Sequence, residues 1–214
     1  MTHTPQELSA KARTICEMAP IVPVLVVDDV TAADPLAKAL ISGGLPALEV
    51  TLRTPAALDV IRVMSQVPGG MVGAGTLITP EDVRAAKEAG ATFGVSPGAT
   101  DALIAACEDE GLPLLPGAAT ASEAMALLER GYAMLKFFPA EASGGVPALK
   151  SLASPLPQIS FCPTGGVNPK NAPEYLACAN VVCAGGSWVA PKDMVAAGDW
   201  AGIEALARDA AKLG

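Results

Sequence analysis

The sequence is poor in histidine and in positive charge, and its cysteines follow no metal-binding pattern. His3 is the only histidine in 214 residues, which excludes a histidine-rich metal site and argues strongly against a Ser-His-Asp triad. Five cysteines are an odd number without a CxxC spacing, so neither a zinc site nor a disulfide framework is expected. The net charge is −8, whereas a protein that binds nucleic acid or an anionic membrane needs a basic patch. We therefore expect free thiols in a reducing compartment and no nucleic-acid, membrane or metal partner.

Long apolar runs are also missing. None approaches the roughly 18 residues that a membrane-spanning helix needs. The N-terminus does not resemble a signal peptide, because Glu7 and Glu17 stand where positive charge is expected. Apolar residues nonetheless make up 51% of the chain, which is enough for a sizeable core. We expect a cytoplasmic protein with one domain that spans residues 1–214.

Short apolar or β-branched runs alternate with alanine-rich amphipathic segments along the whole chain. Eight such runs begin at Ile21, Ala47, Met71, Phe93, Pro113, Ala133, Gln158 and Asn180. Alternating strands and helices are typical of a parallel sheet with helical crossovers. Eight such units favour an α/β fold of the (β/α)8 TIM-barrel type. An extra N-terminal helix, at about residues 5–18, is expected to cover one end of the barrel.

An open, doubly wound sheet is the alternative arrangement of the same elements. Its dinucleotide-binding fingerprint is poor here, because "GAGTLI" from Gly73 has Ile78 where glycine or alanine is required. The pattern therefore favours the barrel.

Three charged residues fall within the predicted strands. Lys136 is the only lysine there and Glu49 the only acid, while Arg53 is the only arginine and stands at a strand end. A charge in an apolar run is costly unless it is paired or neutralised. Because inner positions of alternate barrel strands share a layer, Glu49 in the second run and Lys136 in the sixth are expected to face each other. A misjudged strand boundary is a good explanation for one such residue. It is a poor explanation for three residues that together supply a base, an acid and an anion-binding group.

The surroundings of Lys136 predict amine chemistry. An apolar environment disfavours the charged form of an amine and frees a nucleophile that condenses with a ketone. The resulting iminium is an electron sink for breaking or making the adjacent C–C bond, and Glu49 is the candidate general acid/base. An ion pair that only fills the barrel is the alternative. It explains the residues less well, because buried pairs give little net stability over apolar replacements.

Two glycine pairs end the last two runs. "PTGGV" contains Gly165 and Gly166, and "AGGSW" contains Gly185 and Gly186. The loops after the seventh and eighth strands of a barrel commonly hold phosphate, and glycine lets backbone N–H groups approach an anion closely. Ser187 adds a hydroxyl donor. Tight turns with positive φ are the alternative for either pair alone, but two pairs at the expected positions favour a phosphate site.

Six segments, in order along nearly the whole chain, resemble the 2-keto-3-deoxy-6-phosphogluconate (KDPG) aldolases, a family with bifunctional members that also act on 4-hydroxy-2-oxoglutarate (KHG). They are "LEVTLRT", "VGAGT", "VSPG", "LKFFPAE", "FCPTGG" and "GGSW". The resemblance implies a class I aldolase without metal or other cofactor, and typically a homotrimer. It implies that Lys136 is the Schiff-base lysine and that Glu49 is the general acid/base.

The same resemblance implies roles for the residues around this pair. Arg53 and Thr76 would hold the pyruvate carboxylate, with Pro97 as a wall of the pocket. Thr164 would contact the substrate near its reacting carbons. The phosphate would be bound by Gly165, Gly166, Gly186 and Ser187.

The implied reaction is reversible cleavage of KDPG to pyruvate and glyceraldehyde 3-phosphate. Alternatives within the class are cleavage of KHG to pyruvate and glyoxylate, or of the galactonate epimer of KDPG. An alternative from another class is a barrel that binds a phosphate ligand without C–C chemistry, although Glu49 would repel an anion at Lys136. A metal-dependent aldolase is a further alternative with few ligands to offer, since His3 stands alone and the acids fall mostly on helices.

Overall fold

The computed structural model describes residues 3–213 of the chain. Strands and helices alternate along it, as the sequence predicts. The strands are β1 (Ile21–Leu25), β2 (Ala47–Thr51), β3 (Met71–Gly75), β4 (Phe93–Val95), β5 (Leu114–Leu115), β6 (Gly117–Ala118), β7 (Met134–Phe137), β8 (Ser160–Pro163) and β9 (Ala184–Gly186). The α-helices are α1 (Pro5–Cys16), α2 (Ala33–Ser42), α3 (Ala57–Met64), α4 (Pro80–Glu88), α5 (Asp101–Asp109), α6 (Ala121–Arg130), α7 (Gly145–Ala153), α8 (Ala172–Leu176), α9 (Lys192–Ala197) and α10 (Trp200–Ala210).

All strand pairs are parallel, and their order curls the sheet into a TIM-barrel-like arrangement. Six strands pair in the order β5-β4-β3-β2-β1-β9, and three pair in the order β6-β7-β8. Single bridges from Thr164 to Gly185 and from Phe161 to Val181 join the two groups beside β9. Neighbours in the sheet are thus neighbours in the sequence, with β9 returning to β1, which is not the order of a doubly wound sheet. The prediction of a parallel α/β fold is confirmed.

The fifth predicted run is divided by Pro116 into two short strands. Leu114 and Leu115 pair with β4, whereas Gly117 and Ala118 pair with β7. Proline has no backbone N–H to donate to a ladder, but its carbonyl remains available. The Pro116 carbonyl accepts a hydrogen bond of 2.8 Å from the Lys136 N–H. The run therefore passes from one group of strands to the other.

The apolar residues form two clusters, one between the sheet and its helices and one on the inner face of the sheet. The inner cluster includes Ala47 of β2, Phe93 and Val95 of β4, and Met134 of β7. Because side chains alternate along a strand, residues two positions after Ala47 and Met134 face the same interior. Those residues are Glu49 and Lys136, so the charged pair lies on an apolar floor.

Helix α1 lies at the start of β7. The Ser9 hydroxyl accepts hydrogen bonds from the backbone N–H groups of Ala133, at 2.9 Å, and Met134, at 3.2 Å. Ile15 and Cys16 at the end of the helix belong to the inner apolar cluster. Within residues 3–213, no helix has both the length and the apolar character that crossing a membrane requires.

Candidate active site

Lys136 and Glu49 meet inside the curled sheet. Lys136 Nζ lies 3.4 Å from Glu49 Oε1, and their side chains are 4% and 3% exposed. The two residues come from β7 and β2, which are separated in sequence by 87 positions. Removing one partner of such a buried pair leaves an uncompensated charge, at a cost of roughly 3–5 kcal/mol. A single substitution in the pair therefore lowers stability, whereas replacing both partners leaves no uncompensated charge.

Glycines of β3 make the room that Glu49 occupies. A Cβ atom added at Gly75 would lie 2.6 Å from Glu49 Cγ, well inside ordinary van der Waals contact. Gly73, the register partner of Glu49, makes the same kind of room for the Phe93 ring, whose Cδ2 atom would lie 2.6 Å from an added Cβ. The small residues of "VGAG" thus shape the interior, a role that the sequence alone did not indicate.

Arg53 and Thr76 lie close together just after their strands end. Arg53 is two residues beyond β2, and its Nε donates a hydrogen bond of 3.2 Å to Thr76 Oγ1. Thr76 follows β3 with a φ of 62°. The left-handed region is costly for a β-branched residue and is found mainly where a functional site holds the backbone. Pro97 follows the neighbouring strand β4, so it lies at the same edge of the sheet.

A cavity of about 520 Å³ opens at the carboxyl ends of the strands. Its lining includes Arg53, Phe138 and Thr164. Phe138 is two residues beyond Lys136, and Thr164 is two residues beyond Cys162, the register partner of Lys136. Lys136 therefore lies one layer beneath the lining, with its Nζ 5.1 Å from the centroid of the Phe138 ring.

The glycine pairs differ in their relation to this cavity. Gly165 and Gly166 both line it, with φ values of 100° and 84° that favour glycine. Of the second pair, Gly185 lines the cavity, and an added Cβ there would lie 2.9 Å from Thr164 Cγ2. Gly186 is not part of the lining, and a Cβ at that position would overlap the Trp188 ring.

Ser187 is exposed and lines the cavity. Trp188 and Lys192, which follow in the same segment, also line it. The sequence reasoning missed Trp188 and Lys192, because only the curled sheet brings their segment to the same cavity as Gly165 and Gly166, which follow β8. Their positions shortly after the last strand, with Lys192 as the first residue of α9, were the one signal that pointed towards them.

The cysteines offer no competing nucleophile. All five are free and buried. Hydrogen bonds from Cys16 and Cys162, together with burial, raise the pKa of the Cys183 thiol. A thiol held in this way stays protonated and inert. Across residues 3–213, no cluster of three or more histidine, cysteine or acidic side chains is arranged to hold a metal ion.

Fold and site together define a TIM-barrel-like protein whose interior carries an amine opposite a carboxylate, beneath a cavity with glycine-rich walls. The family model for KDPG and KHG aldolases matches residues 12–206. The chain belongs to this aldolase family.

Individual relatives agree with this assignment. The chain is 52% identical to the 2-dehydro-3-deoxy-phosphogluconate aldolase of Pseudoalteromonas atlantica, over 93% of each chain. The structure is similar to that of the KDPG aldolase of Zymomonas mobilis solved with 3-phosphoglycerate, with a TM-score of 0.90 and 48% identity over 94% of this chain and 95% of the other. It is also similar to the KDPG aldolase of Legionella pneumophila with pyruvate captured as a covalent carbinolamine. The TM-score is 0.91, with 41% identity over 99% of this chain and 100% of the other.

Proposed function

We propose that this protein is a class I aldolase that reversibly cleaves KDPG to pyruvate and glyceraldehyde 3-phosphate. The observation that carries the proposal is the buried amine of Lys136, which lies 3.4 Å from the Glu49 carboxylate beneath the lining of the cavity. A buried lysine amine can add to a ketone as a nucleophile, and a carboxylate beside it is suited to proton transfer. An ion pair placed there for stability alone would gain little over apolar side chains.

In this mechanism the Lys136 amine adds to the C2 ketone, and the resulting carbinolamine takes up one proton from solvent and loses water to form a protonated imine. Glu49 takes the proton of the C4 hydroxyl as the C3–C4 bond breaks, and the bonding electrons move into the iminium. The products of this step are glyceraldehyde 3-phosphate and an enamine on Lys136. Glu49 returns its proton to C3, which restores a protonated imine, and water hydrolyses this imine to release pyruvate, the amine and the proton taken up at the start.

The substrate carboxylate is assigned to Arg53 and Thr76, with Pro97 as a wall. Support comes from the hydrogen bond between the first two residues, which holds the guanidinium at the edge of the sheet. Guanidinium binds carboxylates through two parallel N–H donors, and Arg53 Nη atoms remain available for that geometry. The strained backbone of Thr76 is consistent with a position fixed for binding.

The phosphate is assigned to the loops that follow β8 and β9. Gly165, Gly166 and Ser187 line the cavity there, and Gly186 would contribute through its backbone. Thr164 stands between these loops and Lys136, at the level where the reacting carbons of the substrate would lie.

The test is a coupled assay that follows pyruvate release from KDPG, from its galactonate epimer and from KHG. We expect the highest kcat/KM with KDPG, and activity that withstands a metal chelator. The variant with Lys136→Met and Glu49→Gln should be folded and inactive, whereas Lys150→Met, on helix α7, should match the wild type. A higher kcat/KM with KHG would move the assignment to the unphosphorylated substrate, and cleavage of no keto acid would overturn it.

We propose further that residues 1–214 form one (β/α)8 barrel domain, with α1 as an extra helix over the amino-terminal ends of the strands. Ser9 and the apolar end of α1 support this placement. A homotrimer is proposed from the family resemblance alone. A cytoplasmic location is proposed because five unpaired thiols agree with a reducing compartment. Light scattering on the purified protein tests the trimer.

A further inference from the structure

Lys192 stands on the wall between two neighbouring cavities. It lines the 520 Å³ cavity of the candidate site, and it also lines an adjoining cavity of about 370 Å³. Asp28 and Asp29 line only the adjoining cavity. The Lys192 side chain is 72% exposed, so it is free to reach into either space.

The present partner of Lys192 holds it only weakly. Its Nζ lies 3.7 Å from Asp28 Oδ2, which is too long for a hydrogen bond, and the Asp28 side chain is 70% exposed. The neighbouring Asp29 is already engaged, because its carboxylate accepts from the Thr31 N–H at 2.9 Å and from Thr31 Oγ1 at 2.7 Å. Asp28 is therefore the carboxylate that is available to pair with Lys192. Because an exposed ion pair of this kind is weak, another anion can readily replace Asp28 as the partner of the lysine.

The strand order separates the positive charges around the larger cavity. Arg53 follows β2, whereas Ser187 and Lys192 follow β9, and β1 lies between these two strands. The end of the cavity near β8 and β9 holds the glycine loop and the Ser187 hydroxyl, and Lys192 is the cation at this end, whereas Arg53 lines the cavity beyond β2. In a chain with a net charge of −8, an incoming phosphate needs such a local positive charge.

We propose that Lys192 binds the phosphate of the substrate and that Asp28 competes with phosphate for this lysine. The pair then sets the preference of the enzyme for phosphorylated over unphosphorylated keto acids. This inference rests on the proposed aldolase function and adds a specificity-determining residue to it. It involves no covalent step, because the lysine only exchanges one anionic partner for another.

The experiment compares Lys192→Met and Asp28→Asn with the wild type at low ionic strength. Lys192→Met should raise the KM for KDPG, and the inhibition constant of inorganic phosphate, by roughly 3- to 10-fold with kcat unchanged. Asp28→Asn should lower both by roughly 2- to 5-fold. Added salt should shrink both effects. The pyruvate concentration that gives half-maximal borohydride trapping should not move, because pyruvate carries no phosphate.

Lys38→Met and Asp34→Asn provide matched controls, since these residues form an exposed ion pair of 2.8 Å on α2, away from the cavity. The inference is overturned if Lys192→Met leaves the KM for KDPG and phosphate inhibition unchanged, or alters pyruvate trapping equally. A wild type that traps no pyruvate would instead refute the aldolase function. In that case, phosphate binding is followed by tryptophan fluorescence in a Trp200→Phe background, where Trp188 of the cavity lining is the remaining tryptophan, and this still decides the role of Lys192.

Discussion

Gly75 lies against the Glu49 carboxylate, and replacing it with alanine displaces the proposed general acid/base without substituting either of the proposed reacting residues. The added Cβ would lie 2.6 Å from Glu49 Cγ and 2.8 Å from Glu49 Cδ, where ordinary contact begins at 3.4 Å. The carboxylate must therefore move by roughly 1 Å, and a displacement of that size costs a catalyst about 100-fold in rate. Gly75 does not have a positive φ, so alanine fits its backbone conformation.

The assay is pyruvate release from KDPG with Gly75→Ala, accompanied by urea unfolding. We expect kcat to fall by about 100-fold in a protein that remains folded. Gly98→Ala is the matched control, because a Cβ added at Gly98 meets nothing within 4 Å. A folded Gly75→Ala protein with nearly wild-type kcat would refute the reasoning, since the position of Glu49 would then not matter to the reaction.

Three further predictions concern single side chains. Glu49→Gln should lower kcat by roughly 10²- to 10⁴-fold in the pyruvate-release assay, because the amide cannot exchange protons, and a smaller loss would contradict its acid/base role. Ser9→Ala should lower the free energy of unfolding in urea by about 1–3 kcal/mol, because two backbone N–H groups at β7 lose their acceptor, while the kcat of the folded enzyme is kept. Hydrogen bonds, first from the Ala119 backbone N–H, hold the pKa of Glu123 below its usual range, so its contribution is present above the unfolded-state pKa and is lost as pH falls through the folded-state pKa. Glu123→Gln should therefore flatten the fall of stability below about pH 4.3 in pH-dependent urea unfolding, and an unchanged slope would contradict this origin.

Much of the fold follows from local patterns in the sequence. The short apolar runs form the strands, and the alanine-rich segments between them form the crossover helices. Both patterns can be read from a few neighbouring residues. Helix α4 begins at Pro80, and the Thr79 side chain before it accepts a hydrogen bond from the Asp82 N–H, a local capping pattern that is visible in the sequence. The division of the fifth run at Pro116 follows from the missing N–H of proline, although its pairing on both sides depends on strands far away in sequence.

The pair of Lys136 and Glu49 was predictable for a different reason. A charge within an apolar run is unfavourable unless a partner compensates it, so its presence signals a partner even before the partner is known. The space around the pair was not predictable, because Gly75 and Gly185 have meaning only beside Glu49 and Thr164, which approach them from other strands. Lys192 was hidden for the same reason, since its proximity to Asp28 is created by the pairing of β1 with β9.

The central claim is that Lys136 forms a covalent imine with a keto acid. Incubation with pyruvate and borohydride, followed by intact mass and peptide mapping, tests it most directly. The account predicts one reduced pyruvate per chain, on the peptide that contains Lys136, and none on the folded variant with Lys136→Met and Glu49→Gln. A folded wild type that carries no adduct, or carries it on another lysine, would contradict the account.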